Sequence, residues 1–356
     1  MSHSAESEDK VRVGITIGDV NGIGPEVIIK TFADNRMHQI CTPVIYGSSK
    51  VISFYRKLMN NVEFNFTSIK SITELNHKRT NLINCWEEEV KIEPGQANAT
   101  GGKYAFMSLQ AACKDLSDGN IDVLITAPID KKTMQQDGFR FPGHTEYLAQ
   151  QFNAPDHLMM LVSDRLRVAT VTGHIPVKQV AAELTKEKIL SRIKVMNQSL
   201  KRDFGIRKPR IAVLGLNPHS GDNGLIGNEE TEVIAPAIKA AFDQQILVYG
   251  PYPADGFFGM AKFKSFDGVL AMYHDQGLVP FKSLSFDSGV NFTAGLPVVR
   301  TSPDHGTGYD IAGKGLASED SFRTAIYAAC DIFNSRITFD EAGANPLKFS
   351  KLGGDR

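Results

Sequence analysis

Hydrophobic positions along the chain follow two spacings, and the spacing changes from block to block. Short continuous apolar runs, typical of strands buried on both faces, cover residues 11–17, 44–46, 121–125, 157–162, 167–172, 210–216 and 269–272. Between them, apolar residues recur every three or four positions, as in residues 103–116, 185–204 and 321–333. Strands that alternate with helices in this way predict an α/β fold with largely parallel strands.

Proline, threonine and glycine residues mark where several of these helices begin and end. Pro25 suits the first turn of a helix, and Thr185 can cap a helix that ends before Gly205. A further helix is predicted to begin near the sequence Pro-Gly-His-Thr at 142–145 and to continue to Phe152. These end signals agree with the hydrophobic spacing.

Composition and charge narrow the class of protein. The 356 residues are 42% hydrophobic and 22% charged, which is typical of a soluble globular chain of about two domains. A net charge of −1 gives no overall attraction to nucleic acid or to an anionic membrane. The four cysteines show no paired spacing, the polar N-terminus lacks the apolar region of a signal peptide, and no apolar run approaches the ~20 residues of a membrane span. We therefore expect a cytoplasmic protein without nucleic-acid or membrane partners.

Three histidines follow strand-like runs directly. His174 lies in Thr-Gly-His, His219 in Asn-Pro-His and His274 in Met-Tyr-His. Because sites in parallel α/β sheets form at the carboxyl ends of strands, we expect the three imidazoles to converge. Three protein ligands with an open position are typical of a catalytic metal site. Each histidine could instead be a separate hydrogen-bonded loop residue, but their shared position favours the metal site.

A second group of residues could bind an anion. His144 and Thr145 lie at the predicted start of a helix, where free N–H groups and the helix dipole attract negative charge. Lys282, Asn291 and Arg300 follow in a stretch that is otherwise mostly uncharged. Such groups form phosphate or carboxylate clamps. For each residue alone, the simpler interpretation is a surface charge or a helix cap.

Two glycine-dense segments complete the candidate chemistry. One, at 18–26, joins the first predicted strand to the first helix, and the other covers 305–315. Glycine permits tight turns and close approach of a ligand to the backbone. Neither segment is the GxGxxG dinucleotide fingerprint, and a glycine-rich surface turn is the alternative for both.

Taken together and in order, these segments resemble one family, the 4-hydroxythreonine-4-phosphate dehydrogenases of pyridoxal phosphate synthesis. The matching segments are GDVNGIGPE (18–26), TAPIDK (126–131), FPGHTEYLA (141–149), VTGHIPV (171–177), GLNPHSGDNG (215–224), GPYPADGFF (250–258), MYHDQGLVPFK (272–282) and VNFTAGLPVVRTSPDHGTGYDIAGKG (290–315). The sequences GIGPE and HGTGYDIAGKG also resemble the isocitrate and isopropylmalate dehydrogenases, which bind a nicotinamide cofactor without that fingerprint. Val20, Asn21 and Gly173 differ from the residues of many members, which bears on the subgroup within the family.

The resemblance implies an α/β fold of two domains with an active-site cleft between them, similar to that of isocitrate and isopropylmalate dehydrogenases. The first domain, on the cofactor side, would comprise residues 11–135 and 296–356, after a disordered tail at 1–10. Residues 136–295 would form the second domain, which would carry the metal ligands and the interface of a homodimer.

The resemblance also implies roles for individual residues. The ligands of one divalent ion (zinc, magnesium or cobalt) would be His174, His219 and, from the partner subunit, His274. The substrate-binding positions would be His144, Thr145, Lys282, Asn291 and Arg300. The positions that bind NAD or NADP would be Gly306, Gly308, Asp310 and Gly313. Asp255, which matches an acidic residue near the metal, and Lys282 are the two candidates for the general base.

The implied reaction is the NAD(P)-dependent oxidation of 4-phosphohydroxy-L-threonine. Its product, 2-amino-3-oxo-4-phosphooxybutanoate, would decarboxylate to 3-amino-2-oxopropyl phosphate. One alternative is a sister dehydrogenase of the same family that acts on 4-phosphothreonate or 4-phosphoerythronate. A second, from another class, is a hydrolase in which a three-histidine metal site activates water. A third is a paralogue that binds a phosphorylated ligand without catalysis, which the presence of every implied ligand disfavours.

Overall fold

The chain forms one large mixed sheet with helices on both faces. The computed structural model describes residues 10–59, 62–135 and 139–344. The strands are β1 Val11–Thr16, β2 Cys41–Gly47, β3 Phe66–Ile69, β4 Thr80–Asn84, β5 Val123–Thr126, β6 Leu158–Val162, β7 Arg167–Thr170, β8 Arg210–Leu214, β9 Leu247–Tyr252, β10 Gly268–Ala271, β11 Val290–Ala294 and β12 Val299–Pro303. The predicted α/β class is confirmed.

The α-helices lie between the strands in the predicted alternation. They are α1 Gly24–Ala33, α2 Met37–Ile40, α3 Ser49–Leu58, α4 Ala99–Ser117, α5 Lys131–Gln135, α6 His144–Gln151, α7 Val180–Glu183, α8 Lys186–Arg202, α9 Ala235–Phe242, α10 Ala254–Gly259, α11 His274–Ser285 and α12 Asp320–Ala344. Thr185 caps α8 as predicted, since its hydroxyl accepts the N–H of Lys188 at 3.2 Å. The last helix is longer than the predicted 321–333.

Strand order divides the sheet into two halves. The order is β3-β4-β2-β1-β5-β12-β11-β6-β7-β10-β8-β9, so the six strands drawn from both ends of the chain are contiguous, and so are the six from the middle. Strand β11 pairs antiparallel with β12 and β6, and β6 with β7, whereas the other neighbours are parallel. The link between β6 and β7 is too short for a crossover, which explains why these two strands form a hairpin.

Packing crosses the division between the two halves of the sheet. Helix α6 lies within the predicted second domain, yet its Leu148 packs in a core cluster with Leu109 of α4 and Leu124 of β5. The predicted domain boundaries, at 135/136 and 295/296, remain a prediction. Of the predicted tail at 1–10, residues 1–9 lie outside the described residues.

None of the helices in the described ranges combines the length and the apolar character that a membrane crossing needs.

Candidate active site

A polar cavity of about 580 Å³ lies where the two halves of the sheet meet. Its walls come from the ends of β5, β6, β7 and β12, from β11 and from the first turn of α6. The predicted substrate residues that line it are His144, Thr145, Lys282, Asn291 and Arg300, and one predicted metal ligand, His174, lines it as well. Residues from 126 to 306 therefore meet at one place.

Arg300 is the most deeply placed charge in this cavity. It lies in β12 with 3% of its surface exposed, and its guanidinium donates to the hydroxyl of Thr126 at 2.6 Å and 3.1 Å. A weaker contact of 3.4 Å joins it to Thr293. Among the described residues, no carboxylate lies within ion-pair distance of Arg300. Burial lowers the pKa of the guanidinium to about 10, so the group stays charged at neutral pH.

His144 lines the cavity next to Arg300 and contacts its guanidinium. The Nη2 group of Arg300 donates to Nδ1 of His144 at 3.3 Å, because guanidinium has no acceptor. Burial, followed by the charges of Arg300 and Lys131, lowers the pKa of His144 well below 6.5. The neutral ring therefore carries its proton on Nε2, which is buried without a hydrogen-bond partner in the described part of the chain. The site thus presents one N–H donor and one guanidinium side by side.

Cationic side chains outnumber carboxylates around the cavity. Four cations line it, Lys131, Arg192, Lys282 and Arg300, against two carboxylates, Glu146 and Asp304. Lys282 Nζ lies 3.4 Å from Asp304, whose pKa burial raises. The buried Oδ1 of Asn291 has no hydrogen-bond partner among the described residues. A positive, polar cavity of this kind can bind a small, multiply charged anion.

His174 and His274 lie side by side within one chain. Strands β7 and β10 are parallel neighbours, so the residues that follow them leave the sheet at the same edge, and the two ring centroids are 5.5 Å apart. Nδ1 of His274 donates to the carboxylate of Asp275 at 2.7 Å, so Nε2 is the ring nitrogen left to act as a ligand. Burial lowers the pKa of His174, and so do the charges of Lys131 and His274.

His219 lies apart from this pair, on an exposed turn. Residues 219–223 all have positive φ, from 43° at Asp222 to 79° at Gly221, so they form a left-handed turn. The buried carboxylate of Glu230 supports the turn, because it accepts the N–H groups of Leu216 and Asn217 at 2.7 Å each. Within the described ranges, no three histidine, cysteine or acidic side chains are grouped to hold a metal ion.

The predicted division of the metal ligands between two subunits remains a prediction, since one chain alone does not test it. The resemblance implied that His274 of the partner joins His174 and His219, whereas the structure places His274 beside His174 in the same chain. The reason is the strand order, which makes β7 and β10 adjacent. Asp255, one candidate general base, is exposed in the first turn of α10, which packs against the His219 turn and does not line the cavity.

The two glycine-dense segments pack against each other. Tyr309 donates to the buried carboxylate of Asp19 at 2.7 Å, and the Ile23 N–H donates to Thr307 at 2.9 Å. Of the predicted cofactor positions, only Gly306 lines the cavity. Gly308 and Gly313 adopt positive φ angles of 54° and 79°, which glycine permits, and Asp310 is exposed. The second segment thus leads away from the cavity along the first.

Several residues of the cavity were not predicted from the sequence. Those with chemistry to offer are Thr126, Lys131, Glu146, Arg192, Asp304 and His305. All except Arg192 lie inside segments that carried the family resemblance, so that signal was available. Arg192 comes from α8, whose surface-like charge pattern gave no indication that it reaches the cavity.

Known proteins resemble this chain over most of its length. Residues 39–329 match the family described as pyridoxal phosphate biosynthetic protein PdxA. A 4-hydroxythreonine-4-phosphate dehydrogenase of Bacteroides thetaiotaomicron is 53% identical over 342 residues, which cover 96% of this chain and 94% of that protein. A relative from Oceanobacillus iheyensis, provisionally named a D-threonate 4-phosphate dehydrogenase, is 39% identical over 90% of this chain and 97% of its own length.

A solved structure gives the same result for the fold. The crystal structure of 4-hydroxythreonine-4-phosphate dehydrogenase from Klebsiella pneumoniae superposes with a TM-score of 0.81 at 36% identity, and covers 92% of this chain and 99% of that one. The resemblance predicted from the sequence is confirmed. The chain therefore belongs to the family of pyridoxal phosphate biosynthetic protein PdxA, and it is an oxidoreductase.

Proposed function

We propose that the chain oxidises 4-phosphohydroxy-L-threonine with NAD or NADP and one divalent metal ion. The product, 2-amino-3-oxo-4-phosphooxybutanoate, then decarboxylates to 3-amino-2-oxopropyl phosphate. The observation that carries this proposal is the buried guanidinium of Arg300, which has no ion pair among the described residues and stands next to an unpartnered N–H of His144. Burying such a charge is costly, so a bound anion is the natural partner.

Arg300, His144 and Lys282 would bind and orient the substrate. The substrate carries a phosphate and a carboxylate, and the cavity offers four cations against two carboxylates. Guanidinium binds either anion through parallel hydrogen bonds, whereas the Lys282 ammonium acts as a point charge. Anchoring both ends of a short molecule fixes the carbon between them, which supplies the orientation that hydride transfer needs.

His174 and His274 fit two positions of a divalent metal site. Both are imidazoles at one sheet edge, and the hydrogen bond of His274 to Asp275 is the support that metal-binding histidines commonly have. When bound, a divalent ion supplies Lewis acidity at the reacting hydroxyl. The choice among zinc, magnesium and cobalt stays open. One of the three ligands would come from the partner subunit: the resemblance implies His274, whereas the position of His274 beside His174 in one chain favours His219.

Exposed apolar residues near the His219 turn support a homodimer. Leu225 follows the turn with 82% of its surface exposed, Met260 follows α10 with 75%, and Val279 of α11 has 60%. Large exposed apolar side chains on neighbouring elements are typical of interaction surfaces. A two-fold interface over this region would bring the His219 turn of one subunit towards the cavity of the other, together with Asp255.

The nicotinamide cofactor would bind along the paired glycine segments. Gly306 belongs to both the cavity wall and the second segment, so a cofactor that follows this segment reaches the substrate. Gly308, Asp310 and Gly313 would contact the remainder of the cofactor. After oxidation, the new carbonyl is beta to the substrate carboxylate, so loss of CO2 gives a stabilised enolate.

A 4-phosphothreonate or 4-phosphoerythronate dehydrogenase is the second candidate function. These substrates carry a hydroxyl where hydroxythreonine carries an amine, and the name of the Oceanobacillus iheyensis relative favours this class. A cavity rich in cations accepts both types of phosphorylated acid. The difference therefore concerns a single substituent next to the reacting carbon.

One assay separates these functions. We would follow reduced-nicotinamide absorbance with each phosphorylated substrate, with and without a chelator. The proposal predicts turnover of 4-phosphohydroxythreonine that chelator abolishes and added divalent metal restores. Faster turnover of 4-phosphothreonate would favour the second candidate. Absence of nicotinamide reduction with any of the substrates would contradict both, and would leave the metal hydrolase as the class to test.

A further inference from the structure

His305 has an unused acceptor atom at the wall of the cavity. It lies directly after Asp304 and lines the same space as His174 and Arg300. Its Nδ1 is 3.1 Å from the carbonyl oxygen of Gly306, and its Nε2 is buried without a hydrogen-bond partner in the part of the chain that the structure describes. The catalytic roles considered so far make no use of this ring.

The hydrogen bond to Gly306 determines which nitrogen carries the proton. A carbonyl oxygen only accepts, so Nδ1 must be the donor, and Nε2 of the neutral ring then presents a lone pair. Burial lowers the pKa of His305, which keeps the ring neutral at pH 7. His144 has the opposite arrangement, with its proton on Nε2. The cavity therefore holds one imidazole that donates and one that accepts.

The surroundings of His305 suit a group that gains a proton. The carboxylate of Asp304, the residue before His305, lies 3.4 Å from Lys282 Nζ, so one negative charge stands close to the ring. A protonated His305 would be stabilised by Asp304 and opposed by Lys282, which are the charged groups that act on it. Lys282 is less suitable as the base because it is paired with Asp304, and Asp255 could reach the cavity only from the partner subunit of the proposed dimer.

We propose that His305 is the catalytic base that removes the proton of the substrate hydroxyl. This inference rests on the proposed function. The substrate O–H bond breaks and a bond from that proton to Nε2 forms. The electron pair of the adjacent C–H bond leaves as hydride to C4 of the oxidised nicotinamide ring, and the C=O double bond forms in its place. The substrate is oxidised, the cofactor is reduced, and the proton resides on His305 until solvent accepts it.

The test is His305→Asn in the full-length enzyme, with His77→Asn as the matched control. His77 lies outside the cavity, where its ring contacts Thr42. General base catalysis contributes about 10²- to 10⁴-fold, so kcat of His305→Asn should fall at least ~100-fold while both KM values change less than ~3-fold. Added imidazole should restore part of the lost rate, and the acidic limb of the pH–kcat profile should disappear. The control should keep the wild-type kcat.

Each other outcome has a defined meaning. A raised KM for the nicotinamide cofactor with kcat retained would overturn the inference in favour of cofactor binding. If His305→Asn does not fold, His305→Gln takes its place under the same criteria. If the wild type is active and kcat of the variant is unchanged, the role of His305 is wrong but the proposed function stands. If the wild-type enzyme reduces no nicotinamide, the proposed function itself is wrong.

Discussion

Arg300 and His144 are two residues whose chemistry depends on each other. Arg300 keeps a buried positive charge, and His144 stays neutral because that charge and burial both oppose its protonation. Their hydrogen bond fixes the tautomer of the histidine. Since the pair faces the cavity, a substitution at either residue should affect anion binding more than it affects folding.

The first prediction concerns the guanidinium. Arg300→Met should lower kcat/KM for the phosphorylated substrate by about 10- to 150-fold, because hydrogen bonds to charged groups are worth roughly 1.5–3 kcal/mol. Arg165→Met is the control, since Arg165 is exposed in the link between β6 and β7. Steady-state kinetics on both variants check this. Equal effects of the two substitutions would contradict an anion-binding role.

The second prediction concerns stability and pH. Below about pH 6.5, His144 becomes protonated in the unfolded chain. In the folded chain it stays neutral, because the pKa of His144 is depressed there. The free energy of unfolding should therefore decrease as the pH is lowered. His144→Gln removes this contribution and should flatten the fall between pH 6.5 and 5 by up to ~1.4 kcal/mol per pH unit. Urea unfolding at several pH values measures it. If the free energy of unfolding of the wild type and of His144→Gln depended on pH in the same way, the depressed pKa of His144 would be disproved.

At the scale of elements, the left-handed turn at 219–223 depends on the short π-helix Glu230–Ile234 that follows it in sequence. Glu230, 3% exposed, accepts two backbone N–H groups at the start of this segment and the side-chain amide of Asn217. Five consecutive residues with positive φ are strained unless their surroundings hold them. The carboxylate therefore positions the turn that carries His219.

The third prediction tests that support. Glu230→Ala should lower the free energy of unfolding by about 2–3 kcal/mol, because it leaves two partly buried N–H groups without their charged partner. Glu229→Ala, which removes only one contact to the Asn217 side chain, should cost less than ~1 kcal/mol. Urea unfolding provides both values, and hydrogen exchange at Leu216 and Asn217 should accelerate only in the first variant. Equal losses of unfolding free energy in the two variants would show that Glu230 is not what stabilises the turn.

At the scale of the whole molecule, one sheet spans both halves of the chain and brings distant residues to one cavity. The turn that carries His219 follows β8, which is the parallel neighbour of β10, yet no three metal-binding side chains are grouped within the described ranges. In the proposed assembly, a second copy of the chain completes the three-histidine site. Two equivalent sites would then form in a two-fold dimer, each with ligands from both subunits.

The fourth prediction tests this assembly by mixing subunits. His174→Ala and His219→Ala should each be inactive alone, yet a mixed dimer has one site that collects both mutations and one that is intact. Random exchange should therefore restore about a quarter of wild-type activity. The pair His174→Ala and His274→Ala should restore none, because each site keeps one mutation. Native mass spectrometry confirms that mixed dimers form in both cases.

The reverse result would also be informative. Recovery with His174→Ala and His274→Ala would support the division that the resemblance first implied, with His274 from the partner. If mixed dimers form but neither combination recovers activity, the three histidines do not form a site shared between subunits. All three ligands would then lie in one chain, or the three-histidine site would not exist.

The sequence by itself determined the alternation of strands and helices, the cap at Thr185 and the family of the chain. These follow from local spacing, from hydrogen bonds within a few residues and from motifs that stay contiguous in the chain. The residues predicted to bind the substrate, which line one cavity, could also be selected from the sequence because each lies in such a motif. Local information was sufficient wherever the deciding contacts lie close in sequence.

Only the tertiary structure decided which of these residues meet. The adjacency of β7 and β10 joins His174 to His274 across 100 positions, and the fold leaves His219 and Asp255 outside the cavity. The charge states were likewise decided by folding, because burial and the neighbouring Arg300 keep His144 neutral. Burial and strand order are properties of the whole chain, so no local pattern specifies them.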